Sequence, residues 1–211
     1  KIFLSGLESE QYVLDSLCQQ VDYLSQDLER HLLGNHLFVN AKALIFAGCF
    51  FEGDVADKWL KTGLSIYNKE LNQQVLADGG NYELTPMYHV IMLVDLLDLI
   101  NLFNTYPDRV SVSVLDETKT IAINMLVWLE RMSHLDNKIS FFNDATFGIA
   151  AENDVVFNYA KTLDLVWQSD SLESLQVHDL KETGYASVKN SEFSLICDLA
   201  NVGPDYQPGH A

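Results

Sequence analysis

Basic residues are scarce in this chain: thirteen Lys and Arg stand against thirty Asp and Glu, a formal charge of −17 over 211 residues. Nucleic-acid binding depends on neutralising phosphates with Lys and Arg, so this balance argues against duplex or single-stranded partners. No block of like charge is long enough to read as a tail. Cysteine is scarce too. Cys18, Cys49 and Cys197 are odd in number and far apart, and no zinc-type pair exists. Cys49 lies in the apolar run "LIFAGCFF", where a buried free thiol is expected, and the redox compartment stays open. Long apolar runs are missing. "HVIMLVDLLDLINLF" is broken by Asp95, Asp98 and Asn101 and falls short of the ~20 apolar residues of a membrane span, so a soluble protein is expected. Low-complexity sequence is absent as well. The chain begins at Lys1 with no visible signal peptide and stops in the Gly/Pro-rich "GPDYQPGHA", which reads as a fragment.

What is present is apolar residue, 48% of the chain, enough to bury a substantial core. Residues 9–30 carry Val13, Leu14, Leu17, Val21, Leu24 and Leu28 at a helical period. Gly34 fits a helix stop and Asn35 the N-cap of a second helix, about 36–51, apolar nearly all round and therefore buried. After the turn at Gly53 and Asp54, residues 55–77 form a third helix with a polar face. Thr85 as N-cap and Pro86 as first residue begin a fourth, to about Phe103. Residues 114–133 and 154–166 supply two more. Beyond Trp167 the pattern changes: "SLQVHDL", "GYASVKN" and "FSLICDLA" are short, partly alternating and separated by turn residues, which is strand chemistry. The expected architecture is mainly α, helical hairpins over 1–167, followed over 168–211 by the start of an antiparallel β domain.

One stretch carries more chemistry than a helix start needs. "DGGNYELTPMYH", Asp78 to His89, brings a carboxylate, two glycines, Tyr82, Glu83, Tyr88 and His89 to the approach of the fourth helix. Asp78 is explained as a turn former. Glu83 stands just ahead of the cap, where an acid is favoured. Tyr88 occupies the third helical position. The partial positive charge there favours its phenolate by ~0.3–1 kcal/mol, too little to make a base of a phenol that starts near pKa ~10. A neighbouring protonated histidine would have to assist. As a general acid, a neutral tyrosine needs no help. His89 adjoins Tyr88 but points about 100° round the helix from it.

"GNHLFVNAKALIFAGCFF", "GLSIYNKELNQQVLADGGNYELTPMYH", "ISFFNDATFGIA" and "GPDYQPGHA" together resemble the heparinase II/III-like polysaccharide lyases. The resemblance covers roughly 31–211 and implies an incomplete (α/α) toroid of helical hairpins followed by antiparallel sheets. It also implies cleavage of an acidic, uronic-acid-containing polysaccharide by β-elimination. Tyr88 in "PMYH" matches the family's catalytic tyrosine. Asn35 and His36 in "GNH" match the polar pair that contacts or neutralises the uronate. His210 in "GHA" matches the first histidine of a His-x-His-x-Asp segment and is a candidate base or charge-neutralising group. Asn40, Glu83 and His89 are expected at the substrate. No metal ligand is assigned in this chain; the family's structural zinc in the β domain would need ligands beyond Ala211. Family members are periplasmic or secreted, and the compartment of this chain is left open.

Two other readings stand beside the lyase. Toroids of helical hairpins also host glycoside hydrolases, which employ two carboxylates, here Asp78 and Glu83. A non-catalytic glycan-binding module is the third, since fold does not imply function. Lys42, Lys58 and Lys61 are nearly all the cations near the proposed site. That scarcity favours a less charged uronate polymer over highly sulfated chains.

Overall fold

The protein, in a computed structural model, is described over residues 10–32 and 34–203. The elements run α1 (Glu10–Gln26), α2 (Gly34–Phe50), α3 (Asp54–Gln74), α4 (Pro86–Thr105), α5 (Val112–Arg131) and α6 (Asn153–Thr162), then β1 (Gln176–Leu180), β2 (Tyr185–Lys189) and β3 (Ser194–Asp198). Each expected helix and strand is present, with ends displaced by a few residues. One cap differs. Gly34, at φ 58°, opens α2, and Asn35, expected as the N-cap, is the second residue of that helix. Thr85 is the N-cap of α4 as expected, but its hydroxyl accepts no capping bond from the helix N–H groups and donates instead to the Glu83 carbonyl (3.3 Å).

The chain forms two compact units, Lys1–Glu70 and Leu71–Ala211. In the first, Cys18, Val21 and Leu24 of α1, with Leu28 just after it, pack on Leu44, Ala47, Ala56 and Trp59 of α2 and α3. α2 buries Leu37, Phe38, Ala41, Leu44 and Ile45, as a helix with no polar face must. Its Gly48 is required by a close helix approach, because a Cβ there would lie 2.5 Å from the Leu60 Cβ.

In the second unit α4 is the core helix, packed by α5 and α6. By length and composition it could cross a membrane. Here Val90, Leu93, Leu96, Leu97 and Ile100 are fully buried in protein, so interior placement accounts for apolar character on more than one face. Tyr159 of α6 donates to Asp98 of α4 at 2.9 Å. The three strands form an antiparallel sheet in the order β1-β2-β3, with Leu180 opposite Tyr185 and Tyr185 opposite Asp198. Tyr185, Ser187 and Lys189 make the buried face of β2. The Lys189 ammonium donates to the Glu130 carbonyl near the end of α5, where helix carbonyls lack partners and the dipole is negative. An apolar cluster of Leu84, Trp128, Met132, Leu180 and Tyr185 joins the approach to α4, the end of α5 and the sheet.

Candidate active site

The approach to α4 is a tight, heavily braced turn. Leu76 donates to the Gly80 carbonyl at 2.9 Å and Tyr82 to the Gln74 carbonyl at 2.9 Å. Asp78 Oδ1 accepts from the Gly80 N–H (3.1 Å), while Oδ2 accepts from the N–H (2.8 Å) and hydroxyl (2.9 Å) of Thr183 in the β1–β2 turn. Trp128 Nε1 donates to that same hydroxyl at 3.2 Å. The paired glycines follow from this crowding. A Cβ on Gly79, whose φ is 90°, would lie 2.4 Å from the Asn124 carbonyl oxygen, and one on Gly80 would lie 2.2 Å from Thr183 Cγ2. Leu84 then takes φ 57°, a strained value for a branched apolar residue. Its carbonyl is held by the Tyr185 hydroxyl (2.6 Å) and by Asn143 Nδ2 (2.7 Å). The segment thus enters α4 with its direction fixed from three sides.

Tyr88 is the third residue of α4 and half-buried. Burial pushes its phenol above the ordinary value, the carboxylates of Asp144 and Glu83 push the same way, and its hydroxyl is hydrogen-bonded to Asp144. This reverses the electrostatic expectation for a helix start. Burial and two negative neighbours outweigh a helix-end contribution of ~0.3–1 kcal/mol, so the phenol is the form present at neutral pH.

The other expected residues separate into accessible and enclosed groups. Asn35 is partly exposed and His36 exposed, both in the first turn of α2. Asn40 is buried, and both ends of its amide are used by Glu29: Nδ2 donates to the carboxylate and Oδ1 accepts from the backbone N–H, each at 2.9 Å. His36 Nδ1 lies 3.8 Å from the same carboxylate. Glu83 and His89 have no exposed surface. His89 Nε2 meets the Met125 carbonyl at 3.0 Å, its ring lies 4.3 Å from that of Trp128, and burial lowers its pKa to about 3. A neutral imidazole that donates from Nε2 explains this placement. Asn40, Glu83 and His89, expected to touch substrate, are thus buried in this structure, Asn40 alone of the three keeping a little exposed surface (8%). His210 lies outside the described residues.

A family model for the heparinase II/III N-terminus matches residues 8–173. The chain belongs to the heparinase II/III family. A heparin-sulfate lyase of Bacteroides stercoris is 33% identical over 133 residues, 60% of this chain and 18% of that protein. A heparin-sulfate lyase of Pedobacter heparinus is 44% identical over 78 residues, 36% of this chain and 12% of that one. The chain therefore spans less than a fifth of the length of these relatives. Among solved structures, the heparan sulfate lyase HepC of Pedobacter heparinus matches with a TM-score of 0.67 at 22% identity, over 95% of this chain and 32% of that one. A structure of heparinase III matches with a TM-score of 0.71 at 18% identity, over 93% and 33%. These likenesses bear on the fold, and the expected class of helical hairpins followed by antiparallel strands holds.

Within this heparinase II/III chain, sequence reasoning missed Asp144, Asn143 and Tyr185. Asn143 and Asp144 lie in "ISFFNDATFGIA", a segment that carries the family likeness, yet neither stands in a pattern that names its chemistry. An Asn-Asp pair between apolar residues was the available signal, since both residue types favour turns. Among the described residues, no group of three or more His, Cys, Asp or Glu is placed to hold a metal ion.

Proposed function

We propose that this chain carries the general acid of a lyase that cleaves a uronic-acid polysaccharide by β-elimination. In that reaction the C5 proton beside the carboxylate is removed, the bond to the 4-oxygen breaks, and the leaving oxygen takes a proton. An unsaturated uronate remains. The carboxylate must be neutralised so that C5–H becomes acidic, and a base and an acid are needed. The observation that carries the reading is Tyr88: a half-exposed phenol at the head of α4, held protonated by its surroundings. A protonated phenol is suited to deliver a proton to a departing sugar oxygen. In this reading Asn35 and His36, both with surface to offer, neutralise the uronate, and His210 is the candidate base.

The named relatives are heparin-sulfate lyases, and we take the substrate to be a uronate polymer of that kind. The acidic balance of this chain favours its less sulfated regions. A carboxylate-based hydrolase has less support. Both Asp78 oxygens are committed to the Gly80 and Thr183 donors, and Glu83 is enclosed, whereas a hydrolase presents two carboxylates to the sugar.

The test incubates the protein with heparan sulfate, heparin and unsulfated uronate polymers. It follows the ultraviolet absorbance of the conjugated C4–C5 double bond beside the count of new reducing ends. Both signals should rise together on at least one polymer. Reducing ends without absorbance would establish a hydrolase, and binding without either signal a glycan-binding module; each overturns the reading.

A further inference from the structure

We propose that Asp144 is a positioning residue for Tyr88: its carboxylate accepts the tyrosine's hydrogen bond and fixes where that hydroxyl stands, while Asn143 fixes Asp144. The inference deepens the lyase reading and rests on it for its catalytic consequence. Its structural part stands alone.

Residue 143 is the anchor. Asn143 adopts φ 56°, which turns the chain so that its amide reaches back to the approach of α4. There Nδ2 lies 2.7 Å from the Leu84 carbonyl and 3.0 Å from the Tyr185 hydroxyl. The Ala145 N–H closes the turn on the Phe142 carbonyl at 3.1 Å, and the Ala145 side chain is buried beneath it. Asp144 is thus pinned between two anchored neighbours and placed at the Tyr88 hydroxyl, four residues along from Leu84. One backbone carbonyl, that of Leu84, is the common reference for the tyrosine and for the carboxylate that holds it.

The consequence is chemical. A phenol has one proton, which the fixed Asp144 carboxylate holds at rest; the bond sets where the Tyr88 oxygen stands, and rotation about its C–O bond turns that proton to the leaving oxygen at the moment of delivery. Asp144 and Glu83, the charged groups facing Tyr88 within this unit, both disfavour its phenolate. After proton delivery the phenolate stands beside two negative charges, so it recovers a proton readily and the acid is reset. Glu83 is enclosed and acts through charge alone; Asp144 is exposed and acts through both charge and the bond.

The experiment separates this inference from the lyase reading by using a readout that needs no turnover. Tyrosines carrying a carbon-13 label at the phenolic carbon are titrated by NMR in the full chain, and the Tyr88 resonance is assigned by its loss in Tyr88→Phe. In Asp144→Asn, where a hydrogen-bond acceptor remains but the charge is gone, the Tyr88 midpoint should move to lower pH. In Asp144→Ala it should also fall, with the resonance of the acidic form shifted because the bond is lost. An unmoved midpoint in both variants, with circular dichroism unchanged, overturns the proposal whatever the activity. On a substrate that is turned over, Asp144→Ala should lower kcat about tenfold or more with KM within about twofold. The alkaline limb of the pH profile should move to lower pH, because Tyr88 must be protonated to act. Asp144→Asn should retain more of kcat than Asp144→Ala. A kcat loss with an unmoved alkaline limb would mean a merely structural role.

Discussion

Tyr185 shows how one hydroxyl can fix a site it does not belong to. It is buried in the apolar cluster of the second unit, burial pushes its phenol far above the ordinary range, and its hydroxyl donates to the Leu84 carbonyl at 2.6 Å. Leu84 stands four residues ahead of Tyr88, in a conformation that branched residues rarely adopt. Removing the hydroxyl in Tyr185→Phe leaves the carbonyl one partner, Asn143, so the expected loss is about 1 kcal/mol in urea unfolding. An unchanged unfolding midpoint would mean that the bond adds nothing. The place of Tyr88 in the helix was legible from Thr85-Pro86, because capping chemistry is local. Its electrostatics were not, because Asp144 approaches from more than fifty residues away along the chain.

At the level of elements, the turn before α4 and the turn between β1 and β2 behave as one unit. Asp78 reaches across to Thr183, and Trp128 completes the contact from α5. Asp78→Ala should cost about 1–3 kcal/mol, since the Thr183 N–H loses its acceptor in a partly buried setting. Gly80→Ala should cost a similar 1–3 kcal/mol by overpacking, because its new methyl group would meet Thr183 and the Trp128 ring. Denaturant titration of the two variants checks both, and a neutral Gly80→Ala would contradict the close approach. The sequence announced Asp78 as a turn former, with two glycines after it. It was silent on the tether, because a strand-turn threonine 105 residues away cannot be paired with an aspartate from spacing alone. Helices and strands themselves were readable, since period and turn residues are local signals.

Across the whole molecule, the buried His89 makes stability depend on pH. Its folded pKa of about 3 lies below the ordinary value of 6.5, so the unfolded chain binds the extra proton between those values. Stability from this group is fully present above the unfolded value and falls as pH drops toward the folded one, with a slope of about 1.4 kcal/mol per pH unit. His89→Gln should flatten that acid limb relative to the parent chain, and identical limbs would contradict the burial argument. Function at this scale rests on Tyr88, and the most direct measurement compares the parent with Tyr88→Phe on a polymer that yields the unsaturated product. Only the hydroxyl is lost, so the fold should persist by circular dichroism while the rate of C4–C5 double-bond formation falls at least about a hundredfold, as removal of a general acid entails. Near-parental turnover in the folded variant would contradict the assignment of Tyr88 as the acid.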